Sequence, residues 1–393
     1  MTEREYRLRG GRQPDVSALA NLLAHHGIAG PDAAPLTEPL LFLAGGGIGA
    51  GYHLGEFTAD GSKTLTLGFR DRPGDHRGWL SSTVERLGLP VPHTTGWARV
   101  AGKRLGTELA AGRPALVLPE RSAAGYWQLP EDTGGAGAHF VVAYAETGDG
   151  VLVDDRNTAP LTVDRATLTR ARSRAGARHV LLAFRPDDRE HGTPVDPAAA
   201  VRAGLAHCAR TCRAEAWATW ARQVTDERAR KNWPTVFAER RGLVGALLSA
   251  WTAISPSGPG GGHLRDLFAD GLAEAAPLLG EPALTEHART WRAIAGRWQE
   301  LARVLLGDDH PEFGWMRGLV SRVGDGVRAG DAGREAAAGA ATELRRLRTH
   351  YDAETPFTER QARALFAELG ARLQDIHVDE SRAIAALRDI TTR

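Results

Sequence analysis

His139 opens the apolar run "HFVVAYAE" (139–146), and Asp154 and Asp155 close the next one, "GVLVDD" (150–155). Between them "TGDG" (147–150) offers the positive φ values of a tight turn, so a hairpin brings one aspartate beside the histidine. Strand alternation turns only one of the two inward. A histidine held in one tautomer by a carboxylate is the base half of a nucleophilic triad, and His139 with Asp155 or Asp154 fits that role. A histidine at a strand start also serves as an ordinary core residue.

The nucleophile half is harder to place. In "RQPDVSALANLLAHHGI" (12–28) Val16, Leu19, Leu22 and Leu23 recur at helical spacing after Asp15, the expected N-cap. Ser17 lies just inside the helix, where a hydroxyl meets either a substrate or the backbone. Asp15 would act as an acid or base only with its pKa raised by burial. His25 and His26 suit the end of the helix dipole and receive no catalytic role. Cys208 and Cys212 share a helix face with His207 nearby. Three such residues are too few for a metal centre, so the cysteines are expected to be structural and no metal site is expected.

A second distinctive stretch is "LFLAGGGIGAGYHLGEF" (41–57). Gly45, Gly46, Gly47, Gly49 and Gly51 permit close backbone approach, either to a ligand or to another segment. Tyr52 and His53 follow. Asp15, Ser17, Gly46, Gly47, Tyr52 and His53 are therefore the expected substrate-lining residues.

The elements that must position these residues change character along the chain. Short apolar runs at 114–120, 139–146, 150–155 and 179–186 predict a small, mainly antiparallel sheet. Helices are expected at 15–26 and around 76–87, 103–111 and 163–171. After the polar stretch 185–201 the strand signal stops. Leu284, Ala288, Trp291, Ala295, Trp298, Leu301 and Leu305 then step at helical spacing, and residues 365–387 repeat the pattern. These tryptophan-bearing stripes read as core. "SPSGPGGGH" (255–263) breaks two helices and matches no phosphate-binding loop. The expected fold class is α+β: a domain over 1–190 carrying the sheet, then an all-α domain over 197–393.

Composition narrows the function classes. The chain has 393 residues, 42% of them hydrophobic and 25% charged, with a formal net charge of +1. No global basic field draws it to nucleic acid. Two cysteines fit a reducing compartment and exclude a disulfide framework. "MTEREYRLRGGRQ" has no apolar signal core, and no apolar run approaches a membrane span. A cytoplasmic protein is expected.

The order of several motifs resembles a known family, that of the butirosin biosynthesis acyltransferase. The matching stretches are "SALANLLAHHGI" (17–28), "LTEPLLFLAGGGIGAGY" (36–52), "GRPALVLPE" (112–120), "HFVVAY" (139–144) and "VLVDDRNTAPLTVDRATLTRARS" (151–173). "KNWPTVF" (231–237), "GGGHLRDLFADGLAEAAPLL" (260–279) and "WRAIAGRWQELARVLL" (291–306) are similar to the helical domain that often follows in that family. The resemblance implies a papain-like (cysteine-protease-like) N-terminal domain. It also implies acyl transfer from a phosphopantetheinyl carrier protein to a small-molecule amine such as an aminosugar.

In that family a cysteine precedes the first helix, and here its position falls on or near Pro14. Proline has neither a nucleophile nor an N–H for an oxyanion hole, so no cysteinyl thioester forms there. His139 and Asp155 take the base and orienter positions, and Asp155 followed by Arg156 fits the family's Asp-Arg pair better than Asp154 does. A carrier-bound thioester is already activated, so an amine can attack it directly. Proximity supplies about 7–11 kcal/mol of the barrier, and a general base a further factor of about 10²–10⁴. The resemblance thus implies an amide-forming condensation enzyme of antibiotic biosynthesis, with the amide-forming step of lincosamide antibiotics as chemistry of this kind. It binds no cofactor of its own, the carrier's phosphopantetheine arm being substrate. A carrier-binding pseudoenzyme and a cysteine-independent hydrolase or cyclase are the alternatives. Arginine runs at 228–232 and 239–241 could steer an acidic carrier, and the helical half could serve as homodimer interface, lid or docking face.

Overall fold

The computed structural model describes residues 5–56, 63–129, 137–148, 150–174, 179–184 and 194–392. Most of the glycine-rich 132–138 and of the expected linker 185–201 lies outside the described residues.

The chain begins with α1 (Pro14–His25), α2 (Glu38–Ala44), the strands β1 (Ile48–Glu56) and β2 (Lys63–Arg70), then α3 (His76–Arg86) and α4 (Ala98–Ala110). There follow β3 (Ala115–Val117), α5 (Arg121–Ala124), β4 (Val141–Thr147), β5 (Gly150–Asp154), β6 (Leu161–Asp164), α6 (Arg165–Arg174) and β7 (Leu181–Leu182). The remainder is helical among the described residues: α7 (Pro197–Thr211), α8 (Glu215–Thr225), α9 (Trp233–Val236), α10 (Leu243–Ile254), α11 (Arg265–Leu279), α12 (Ala283–Leu305), α13 (Pro311–Arg328), α14 (Arg334–Ala353) and α15 (Glu359–Thr391).

Two compact units emerge. The first comprises Met1–Gly46, Gly74–Leu205 and Val323–Ala338; the second comprises Gly47–Pro73, Ala206–Arg322 and Gly339–Arg393. They interleave along the chain and do not part at residue 190. The reason is the β1–β2 hairpin, whose strands pack against α8 and α10 of the second unit.

The first unit is built on an antiparallel sheet of order β6-β5-β4-β3-β7. Val117, Val141, Ala143, Val151, Val153, Leu161 and Val163 share one core with Leu105, Leu109, Leu168 and Ala171 of α4 and α6. Helix α1 packs on β4 and β3, with Val16, Leu19, Leu22 and Leu23 fully buried, the stripe its spacing predicts. Fully burying each such side chain contributes roughly 1.5–3 kcal/mol.

The second unit encloses the tryptophan stripes. Trp217, Trp220, Trp233, Trp291 and Trp298 are all fully buried. Among them Arg265 and Glu380 form an ion pair with Nε–Oε1 at 2.8 Å, and the Arg265 guanidinium lies over the rings of Phe69, Trp217 and Trp298.

Candidate active site

Helix α1 starts one residue earlier than expected. Gln13 is the N-cap, and its Oε1 accepts the Val16 N–H at 2.7 Å. Pro14 occupies the first helical position, where its missing N–H costs nothing and its fixed φ suits the turn. Asp15, expected as the cap, is therefore already inside the helix, and its carboxylate is released for tertiary contacts. Its Oδ1 accepts the Phe140 N–H at 2.7 Å, and its Oδ2 meets His76 Nδ1 at 3.0 Å. Ser17 is buried, and its hydroxyl donates to the Gln13 carbonyl at 2.6 Å. That is the backbone bond of a helix N-terminal serine.

Phe140 follows His139, so the start of β4 lies against this end of α1. His139 Nε2 and Asp155 Oδ2 are 2.7 Å apart, with the His139 side chain only 1% exposed. Asp155 is thus the aspartate that meets the histidine. The same Oδ2 accepts the Trp127 Nε1–H at 2.7 Å and the Tyr126 hydroxyl at 2.9 Å. Asp155 Oδ1 makes no hydrogen bond and lies 3.5 Å from Arg156 Nε.

Both aspartates are buried, contrary to simple alternation. The strand ends at Asp154, and Arg156 takes a left-handed φ of 64°. The turn lets Asp155 face His139 while Asp154 faces α1. There Asp154 Oδ2 accepts from Tyr6 OH at 2.7 Å and from Asn21 Nδ2 at 3.0 Å. Asn157 closes the turn by accepting the Asp155 N–H at 2.7 Å.

Charge states follow from this packing. Burial lowers the His139 pKa, and the nearby Arg121 adds to the effect although Asp155 opposes it. Burial alone would raise Asp155, but His139, Arg156 and the Trp127 N–H together hold it well below the ordinary carboxylate range. The pair is a neutral imidazole donating to a carboxylate. Asp154 is pushed up to about 6 by burial, against the hydrogen bonds from Tyr6 and Asn21.

One contact was illegible in the sequence. With Nε2 given to Asp155, His139 has Nδ1 as its basic nitrogen, and Arg121 Nε donates to it at 3.2 Å. Arg121 is buried and lies over the Trp127 ring at 5.7 Å. A buried guanidinium covers the lone pair that a base would use.

The other expected residues are placed as follows. Gly46 and Gly47 have φ of 101° and 64° and make the turn from α2 to β1. A Cβ on Gly47 would lie 2.7 Å from the Phe268 ring, so its close approach is to a neighbouring side chain. Tyr52 and His53 belong to β1 in the second unit. Tyr52 stacks on Trp220 at 5.4 Å, donates to Gln223 Oε1 at 2.8 Å and accepts from Trp233 Nε1 at 3.2 Å. His53 is exposed. Cys208 and Cys212 are free thiols in the second unit's core, and His207 pairs with Asp71 at 3.2 Å. Among the described residues no three metal-binding side chains cluster, and no helix is long and apolar enough to cross a membrane.

Sequence reasoning missed His76, Arg121, Tyr126 and Trp127. Each reaches the site through a contact that no local spacing encodes.

No curated protein matches the chain. Residues 166–312 match the family model described as Domain of unknown function (DUF4872). Residues 13–156, which run from the cap of α1 to the turn after Asp155, match that of Butirosin biosynthesis protein H, N-terminal. In this order the two matches are those the motif resemblance implies: an N-terminal region similar to that of butirosin biosynthesis protein H, followed by the DUF4872 domain.

Proposed function

We propose that this protein forms an amide in antibiotic biosynthesis by direct aminolysis. In this reading the N-terminal domain is papain-like, and the acyl group arrives as a thioester on the phosphopantetheine arm of an acidic carrier protein. An amine, such as that of an aminosugar, attacks the thioester carbonyl without passing through an acyl-enzyme. The observation that carries the reading is the buried His139–Asp155 pair beside the start of α1, within the matched domain; the motif resemblance puts the position of the family's thiol on or near Pro14. The pair stands at 2.7 Å, and the chain's two cysteines, Cys208 and Cys212, belong to the second unit. His139 itself can take a proton only with Arg121 drawn off Nδ1. The protein would act in the cytoplasm, where loaded carriers are made.

The test loads carrier proteins with aminoacyl groups, offers a panel of aminosugars and follows product and enzyme by intact mass. Amide product with no enzyme adduct at any time is expected, with a large loss in His139→Ala. A trapped acyl-enzyme, or carrier binding without product across the panel, overturns the proposal.

A further inference from the structure

Helix α6 carries a buried charge in its last turn that the site described above does not use. Arg172 is 2% exposed and donates from Nη1 to the Ala101 carbonyl of α4 at 3.4 Å. A cation suits the C-terminal end of a helix. Its other two nitrogens, Nε and Nη2, are nonetheless buried without a hydrogen-bond partner. No carboxylate among the described residues pairs with it, and burial pushes its pKa down to about 10.

The two nitrogens concerned are not arbitrary. Nε–H and one Nη2–H lie along one edge of the guanidinium and point the same way, the edge that meets two oxygens at once. Arg265 uses that edge on Glu380, Nε to Oε1 and Nη2 to Oε2, each at 2.8 Å. In Arg172 the same edge meets no oxygen of the described residues. His179 stands close enough to feel the charge: burial and then Arg172 lower its pKa. Its Nδ1 is also buried without a partner, and it holds a left-handed φ of 48°.

We propose that Arg172 and His179 form a binding site for a small oxyanion, a phosphate or carboxylate group that offers two oxygens side by side. The Arg172 fork takes both oxygens, and His179 in its Nδ1–H tautomer supplies a third donor. A buried cation without a counter-charge carries a desolvation penalty that such an anion relieves. The site does not rest on the aminolysis reading. It bears on the same unit, because the carbonyl of Ala171 accepts the Glu120 N–H at 2.9 Å. An anion on Arg172 thus steadies the segment that leads into Arg121.

The test exchanges the protein into Tris chloride and follows thermal unfolding as potassium phosphate, acetate or chloride is added at matched ionic strength. Phosphate or acetate should raise the wild-type Tm step by step for each tenfold rise beyond half-saturation, and chloride should not. The larger of the two rises identifies the group that the site takes. Phosphate also strengthens burial in general, so the quantity read is the difference from Arg172→Met. That variant should be at least as stable as wild type in chloride and should lack the extra rise. Arg172→Lys keeps the charge without the fork and should bind the same anion about tenfold more weakly by calorimetry. His179→Phe should weaken it several-fold. An equal rise in wild type and Arg172→Met means an adventitious ion only and overturns the proposal. So does a wild type whose Tm answers neither phosphate nor acetate beyond chloride. If Arg172→Met does not fold, Arg172→Lys decides, and undiminished affinity there overturns it as well.

Discussion

Each unit of this molecule buries a cluster of charges, and the two are satisfied to different degrees. In the second, Glu380 Oε1 accepts from Arg265 Nε and Trp298 Nε1, and Oε2 from Arg265 Nη2 and Trp217 Nε1, each at 2.8–2.9 Å. Arg265 gives its remaining donors to the carbonyls of Gly49, Phe69 and His263. In the first unit Asp155 crowds three donors onto Oδ2 and leaves Oδ1 without a hydrogen bond, while Asp154 carries a pKa near 6. Buried charge is common to both. What makes the first the candidate site is incomplete satisfaction beside the His139 imidazole, since a closed network has nothing left to offer a substrate.

The largest test of this contrast is Glu380→Gln. It strands a buried guanidinium and should cost about 3–5 kcal/mol in chemical denaturation. The double change Arg265→Met with Glu380→Leu should cost less than that single one, and a single cost below about 1 kcal/mol would break the comparison. Next comes Asp154→Asn. The folded protein holds this proton more tightly than the unfolded chain, whose carboxyl has the ordinary value of 3.8. Wild-type stability relative to the variant is therefore fullest below 3.8 and falls as pH rises through about 6, by roughly 3 kcal/mol in all. Parallel stability curves from pH 3.5 to 7 would mean that Asp154 is as well compensated as Glu380. The smallest effect is expected from Trp127→Phe, which keeps the ring and removes one of three donors on Asp155 Oδ2. A loss of about 1.5 kcal/mol by urea denaturation is expected, the low end for a hydrogen bond to a charged group. A larger loss would show that the other donors do not share the load.

The sheet of the first unit and the pairing of His139 with Asp155 were legible because hairpin neighbours are close in sequence. The apolar runs at 115–117, 141–147 and 150–154 and the stripe of α1 are local signals of the same kind. The β1–β2 hairpin was not legible, because Gly49, Gly51 and Gly55 interrupt its alternation and its cover comes from helices after residue 215. His76 was invisible for a related reason. Its partner Asp15 lies 61 positions away, and a single histidine opening a helix carries no spacing to read. Arg121 stands in "LPERS" (118–122), where nothing local announces that it donates to a histidine ring. The N-cap was misread because Asp15 is the better capping residue in isolation, whereas Pro14 decides where the helix begins.

The interleaved path of the chain also bears on how the protein is made. Strands β1 and β2 leave the ribosome when residue 70 emerges, yet α8 and α10, which cover them, begin only at Glu215 and Leu243. At roughly 5–20 residues per second that is a wait on the order of ten seconds, with Leu54, Leu65 and Phe69 uncovered. For that interval the nascent hairpin carries its apolar side chains without their cover, and its glycine-broken strands offer a poor template for pairing with a second nascent chain.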